Sequence, residues 1–200
     1  SPSRRQRQMC IRDRFNTWFQ IAIDAEVNEA NAMAISTISQ EGTPRSRYVL
    51  FKDIVDNKLV FYSDYQSSKG REMDNNPNIS GLFFWPELHR QIRLEGVISK
   101  TSNEVSDNYF ASRPRGAQLS AIASSQSTEI KGRETVEERI QELEKEFEGK
   151  DIPRPDNWGG YAIDISFWEF WQGRRSRTHD RFIYVQNDNS WEITRPVSYT

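Results

Sequence analysis

Apolar side chains first recur at helical spacing from Phe15 onward: Phe15, Trp18, Phe19 and Ala22 fall at i, i+3, i+4 and i+7 and mark one buried face. This spacing predicts a helix over about residues 14–27. The period then changes. AMAISTIS, RYVLFKDIV and KLVFYSD are short runs rich in branched and aromatic residues, separated by EGTP and VDN, which carry turn chemistry, so an antiparallel meander is predicted. SSKGREMDNNP reads as a short helix stopped by Pro77, because proline cannot continue helical hydrogen bonding. ISGLFFW and RQIRLEGVISK are two further strands joined by PELH. EVSDNYFASRPRGAQLSAIASSQS is helical on either side of Pro114, and TVEERIQELEKEFEGK sets Val136, Ile140, Leu143 and Phe147 on one stripe of an amphipathic helix. DIPRPDNWGG is an ordered linker or lid, after which GYAIDISFWEFWQG, RFIYVQ and SWEITRPV return to strands, with NDN as a hairpin turn. Closely spaced hairpins with helices inserted predict a mainly β, α+β chain: a small closed or split β-barrel.

Length adds that the 200 residues suit one domain. Residues 1–14, SPSRRQRQMCIRDR, are basic and almost without core-forming side chains, so they read as a disordered or artefactual extension, with the folded domain over 15–200. The charge balance, 27 basic against 29 acidic residues, argues against a dedicated nucleic-acid binder; any anionic partner has to be met locally. A single cysteine, Cys10, excludes an intrachain disulfide framework and fits a reducing, cytoplasmic setting. No apolar run reaches the roughly 18 residues of a membrane span.

The common chemical signatures are missing. Neither GxxxxGK[ST] nor a strand-following GxGxxG occurs, HExxH and GxSxG are absent, and two histidines without cysteine partners make no zinc site. What remains is a set of cations near strand and helix ends. In RSRYVLFK, Arg47 and Lys52 are an odd number of positions apart, so strict alternation turns them to opposite sides; solvated edge charge and a ligand contact are both open. SSKGRE offers Lys69 and two hydroxyls before a helix start, either a simple cap or an anion seat. Tyr109 and Arg113 lie four apart, where a phenol and a guanidinium could grip one phosphate or merely pack. Trp158, Trp168 and Trp171 serve packing or wall a planar ring.

WQGRRSRTHDRF stands apart. If this stretch is extended, Arg175, Arg177, His179 and Arg181 share one face, and such a row of like charges is unfavourable unless an anion compensates it. An anionic ligand is therefore expected here.

With these motifs in order, the chain from about Phe15 to Trp191 resembles the pyridoxine (pyridoxamine) 5′-phosphate oxidase family: RYVLFK, VFYSD, SSKGRE with NNP, RQIRLEG, NYFASRPRGAQ, SSQS, WGGY, EFWQG and RTHDRF. The resemblance implies an FMN-binding split β-barrel, a homodimer with FMN at the subunit interface, and oxidation of pyridoxine or pyridoxamine 5′-phosphate to pyridoxal 5′-phosphate with O2 as acceptor and H2O2 released. It assigns to FMN the run Arg47, Tyr48, Val49, Leu50, Phe51 and Lys52, with Tyr62, Ser63, Ser68, Lys69, Gln91, Gln126, Ser127, Trp171 and Arg181. It assigns Lys52, Tyr109, Arg113 and Ala117 to the substrate phosphate, and Arg177, Thr178 and His179 to the pyridine ring, with Arg177 and His179 catalytic. Related split-barrel flavin oxidases, as in phenazine biosynthesis, and non-catalytic flavin or haem barrels remain alternatives. Four departures stand out: Ser68 where the family carries arginine, Ala117 where it carries serine, Thr178 where it carries leucine, and a divergent TRPVSYT terminus. Ser68→Arg is accordingly expected to tighten FMN binding, measured by titrating apoprotein; equal affinity in the two proteins would refute the lost contact.

Overall fold

The structure, a computed structural model, describes residues 4–125, 133–188 and 190–196. Helix α1 (Arg4–Asp24) begins ahead of the stretch where apolar spacing becomes visible, and Ile11 is buried with Phe15, Trp18 and Ala22 on its inward stripe. The sequence expectation that residues 1–14 stand outside the fold therefore fails from Ile11 on. A single isoleucine, followed by Arg12, Asp13 and Arg14, leaves too little periodicity to show a helix. At its other end α1 stops at Asp24, three residues short of the predicted end, where Glu26 adopts φ 53°.

The sheet is built from β1 (Ala32–Ile38), β2 (Pro44–Leu50), β3 (Asp53–Val55), β4 (Lys58–Asp64), β5 (Asn78–Trp85), β6 (Arg90–Lys100), β7 (Trp158–Gln172), β8 (Asp180–Asn187) and β9 (Ser190–Thr194). Between them lie α2 (Ser68–Asn75), α3 (Asn103–Ser112), α4 (Arg115–Ser125) and α5 (Arg133–Glu146). RYVLFKDIV, read above as one strand, is divided into β2 and β3. The antiparallel path runs β2-β1-β5-β6-β7-β4-β3, with β8 added to β7 and β9 to β8. Lys52 N donates to Val60 O at 2.9 Å, bringing the chain after β2 against β4 and curling the sheet toward closure.

Two facts give the curl its place. β6 pairs along its whole length with Tyr161–Gln172 of β7, but the register shifts between Glu95 and Gly96. A β-carbon at Gly96 would sit 2.2 Å from Asp164 O, so only glycine permits the close approach there. The interior is aromatic: Phe15 meets Phe51, Phe83 and Trp168 at ring distances of 5.4–5.5 Å, and Trp85 Nε1 donates to Ala30 O at 2.9 Å. A second apolar cluster joins Phe110, Leu119, Leu143, Ile152 and Trp158, so α3, α4 and α5 pack around the start of β7.

Because Phe15 is fully buried at the meeting point of helix and barrel, Phe15→Ala is expected to cost about 3–5 kcal/mol. Thermal or denaturant unfolding reads this directly; a loss below about 1 kcal/mol would mean that α1 is not part of the cooperative core.

Candidate functional site

A cleft of about 490 Å³ opens where β2, β4, α2, α3 and β7 end near one another. The edge strand β2 contributes Tyr48, Val49 and Leu50, and Lys52 follows it; Tyr62 and Ser63 come from β4, Lys69 from α2, Tyr109 and Arg113 from the end of α3, Ala117 from α4 and Trp158 from β7. Residues scattered over more than a hundred positions thus meet because their elements terminate at one end of the barrel.

Local chemistry explains each placement. α2 is preceded by Ser67, whose hydroxyl caps the helix by accepting from Gly70 N at 3.3 Å. Gly70 is also needed for closeness, since a β-carbon there would lie 2.1 Å from Tyr65 O. α3 ends at Arg113, which is extended (φ −71°, ψ 147°) as the residue before proline tends to be. Arg113 therefore leaves the helix rather than continuing its face, yet it reaches the same cleft as Tyr109.

One wall of the cleft is a stack of parallel rings. Tyr62 and Tyr109 lie 3.7 Å apart at 11°, Trp158 follows Tyr62 at 5.6 Å and 12°, and the Arg113 guanidinium sits 4.5 Å from the Trp158 centroid. Burial, with Tyr109 next in importance, pushes the Tyr62 phenol up to about 12, so it remains a neutral hydrogen-bonding group at physiological pH. Burial also lowers Lys69, with Arg47 adding repulsion, and burial lowers Arg113. Arg113 Nη1 is buried and has no hydrogen-bond partner among the described residues. A buried, unpaired guanidinium N–H is costly, and the residue that carries it also lines the cleft.

Several residues assigned by resemblance lie elsewhere. Phe51 is buried in the core. Arg47 donates to Glu72 and Thr37 and does not line the cleft, whereas Lys52, which lies beyond the end of β2, does. Ser68 opens α2 and lines a neighbouring hollow with Arg45, Arg71 and Glu72. Gln126 and Ser127 lie outside the described residues.

Gln91, Trp171 and Arg181 form a row of their own, directly opposite one another across β6, β7 and β8. Arg181 Nε donates to the buried Glu169 at 2.7 Å, and the His179 ring lies 4.8 Å from Trp171. None of this row lines the cleft of the same chain.

The expected extended run at RSRTHDR is corrected by the backbone. Arg175–Arg177 forms a 3-10 turn with Ser176 at φ 61°, and β8 begins only at Asp180. Period-2 alternation cannot hold across a left-handed residue, so the four-residue cationic face does not exist. Instead Thr178 donates to Arg175 O at 3.1 Å, and His179 Nδ1 accepts from Arg174 N at 3.1 Å, which fixes the ring's orientation. The side chain of Arg177 lies outside the described residues. Asp180 holds Arg174 and Arg195, and those two cations keep its carboxyl below the usual range.

Sequence reasoning left Trp158 between packing and ring wall, and the structure gives it both tasks. It missed Glu72, whose partners are distant in sequence and form no recognisable spacing.

A curled, split antiparallel barrel with a cationic, aromatic-walled cleft at one end defines the class: a split-barrel protein. Residues 19–146 match the pyridoxamine 5′-phosphate oxidase family, and residues 158–196 match the pyridoxine 5′-phosphate oxidase C-terminal dimerisation region. The chain belongs to the pyridoxamine 5′-phosphate oxidase family. Relatives named pyridoxine/pyridoxamine 5′-phosphate oxidase include one from Leptospira interrogans, 46% identical over 90% of this chain and 85% of its own length. Another, from Flavobacterium johnsoniae, is 49% identical over 90% of this chain and 86% of its own. Among solved structures, PhzG from Burkholderia lata, in complex with tetrahydrophenazine-1-carboxylic acid, superposes with TM-score 0.86 at 30% identity, covering 92% of this chain and 90% of its own. A pyridoxamine 5′-phosphate oxidase-related, FMN-binding protein from Nostoc punctiforme gives TM-score 0.69 at 16% identity, covering 87% and 91%, a likeness of fold.

Arg113→Gln should weaken binding of a phosphorylated ligand about ten- to hundredfold, as expected for one charge-assisted hydrogen bond. Unfolding stability should hold or rise, because an unpaired buried N–H is removed; unchanged ligand affinity would take Arg113 out of the site.

Proposed function

We propose that this chain oxidises pyridoxine 5′-phosphate or pyridoxamine 5′-phosphate to pyridoxal 5′-phosphate, using FMN as cofactor and O2 as acceptor, with release of H2O2. The observation that carries this reading is the unpaired Arg113 guanidinium set with Lys52 and Lys69 around a stack of rings, in a chain of this family. The donor set fits: cations and the capped start of α2 suit phosphate, while the Tyr62–Tyr109–Trp158 wall suits a flat heterocycle. Bound flavin supplies the hydride-accepting chemistry that no side chain here can supply.

The chain's own residues bind and orient. Lys52, Tyr109 and Arg113 hold the substrate phosphate, with Ala117 lining the same wall. Lys69, Tyr62, Ser63 and the Tyr48–Leu50 backbone serve the flavin. Arg177 and His179 set the pyridine ring, the imidazole being held by the Arg174 N–H. Trp171 and Arg181, with Gln91 beside them, complete the flavin site from the second subunit of a homodimer.

Strand geometry supports that last assignment. Trp158 and Trp171 sit at the two ends of β7, 13 residue steps apart, which in an extended strand is about 40 Å. One ligand does not span that within one chain. The exposed apolar residues Tyr48, Leu50 and Phe84 cluster on the β2–β1–β5 face and offer a surface for a second copy.

A second reading, oxidation of a reduced phenazine precursor, draws on the likeness to PhzG. One assay separates the two: purified protein loaded with FMN is offered pyridoxine 5′-phosphate, and peroxide release is measured. Release supports the proposal; its absence, with turnover of tetrahydrophenazine-1-carboxylic acid instead, would replace it. Within the favoured reading, Arg177→Ala should lower turnover far more than flavin retention, and equal loss of both would refute the division of roles.

A further inference from the structure

Glu72 is a buried carboxylate that no motif above accounts for. It projects from α2 toward β1 and β2. Its Oε1 accepts from Arg45 Nη1 at 2.9 Å; its Oε2 accepts from Arg47 Nη2 at 2.8 Å and from the fully buried Thr37 hydroxyl at 2.5 Å. Arg45 and Arg47 are two apart on β2 and share a face, so without Glu72 two guanidinium groups would stand side by side. Arg47 Nη1 donates to the Thr37 hydroxyl and to Arg45 O. The guanidinium that the sequence pattern offers to a ligand is thus committed to a latch between the sheet and α2.

One helical turn before Glu72, on the same helix, Lys69 lines the cleft. We propose that Glu72 is a positioning residue of the cleft: by gathering Arg45 and Arg47 behind α2 and neutralising their charge, it keeps Lys69 seated and charged where a ligand phosphate binds. The role at the cleft rests on the phosphate-binding reading given above; the electrostatic link between Glu72 and Lys69 does not.

The groups facing Lys69 make the balance delicate. Arg47 comes from β2, Asp64 from the end of β4 and Glu72 from α2, while Lys52, Tyr62, Tyr109 and Arg113 line the same cleft. Burial, then Arg47, pulls the Lys69 ammonium below the usual lysine range; Asp64 and Glu72 push back. Glu72 is itself held below the usual carboxylate range, first by the Thr37 hydroxyl and then by both arginines against the cost of burial, so it stays charged at neutral pH. Removing its charge leaves Arg47 unopposed beside a half-buried ammonium.

The test reads Lys69 directly. Lysine side-chain resonances are followed through a pH titration of the chain without ligand, with Lys69→Arg assigning the signal. In Glu72→Gln, which keeps the size of the side chain, Lys69 is expected to lose its proton at lower pH than in the parent; an unmoved titration overturns the proposal and leaves the function reading untouched. Should Glu72→Gln not fold, Arg47→Gln removes the opposing charge and is expected to move the Lys69 titration upward, no movement again overturning the proposal. FMN titrations then test the consequence: affinity in Glu72→Gln should fall off several-fold from neutral to alkaline pH where the parent still binds. Lys69→Arg combined with Glu72→Gln should restore the alkaline limb, because arginine stays charged. A uniform loss at every pH, unrestored by arginine, would show a merely structural latch and overturn the proposal. Shifted Lys69 with no FMN binding by the parent would defeat the function reading alone.

Discussion

Strand β7 has two edges and three partners. One edge pairs with β6 alone, from Lys100↔Tyr161 to Arg90↔Gln172; the other is divided, its first part pairing with β4 from Asp64↔Trp158 to Leu59↔Ile163 and its last part with β8 from Phe167↔Val185 to Gln172↔Asp180. The change of partner falls at the irregularity opposite Glu95 and Gly96, where an extra residue bends the strand and increases its twist. That bend lets β4 and β8 diverge, which is what splits the barrel. It also fixes the chemistry's location, since Trp158 begins the strand at the cleft and Trp171 all but ends it on the far row.

Cations concentrated in a chain of net charge −2 need local answers, and the structure gives two kinds. Arg45, Arg47 and Arg181 are answered by buried carboxylates, Glu72 and Glu169, and so become structural. Lys52, Lys69 and Arg113 are left to the cleft, where aromatic rings supply only a partial substitute for water. Leaving Arg113 Nη1 unpaired costs stability. The α3–α4–α5 cluster around Phe110, Leu119 and Leu143 offsets that cost by burying apolar surface beside it.

How much of this was legible depended on the range of the interactions involved. Strands and amphipathic helices could be read because their periods are local; the stripe containing Leu143 and the break at Pro114 show this. The motif order RYVLFK, SSKGRE, NYFASRPRGAQ and RTHDRF pointed to the family, and most of the cleft is made of it. Three features were not legible. Ile11 continues the Phe15–Trp18–Ala22 stripe one turn toward the N-terminus, but it sits in a basic run that composition set apart from the fold. Ser176 takes a left-handed conformation that serine rarely adopts, so the alternation rule could not anticipate the turn. Glu72 finds its partners 25 to 35 residues away, beyond any local pattern. The parity of Arg47 and Lys52 carried no information, because β2 ends at Leu50 and strict alternation does not extend to Lys52.

The separation of the cleft from the Gln91–Trp171–Arg181 row gives the proposed dimer its logic. In a two-fold pair each interface patch meets its own copy, so a row on one chain placed at the partner's cleft requires the reciprocal contact as well. Two equivalent sites result, each with phosphate-binding cations from one chain and the Trp171 row from the other. Flavin affinity then becomes linked to association, because a ligand held by both subunits stabilises the pair over its separated halves. In the proposed pair, the length of β7 that separates the cleft from the Trp171 row within one chain is what two chains together would bridge.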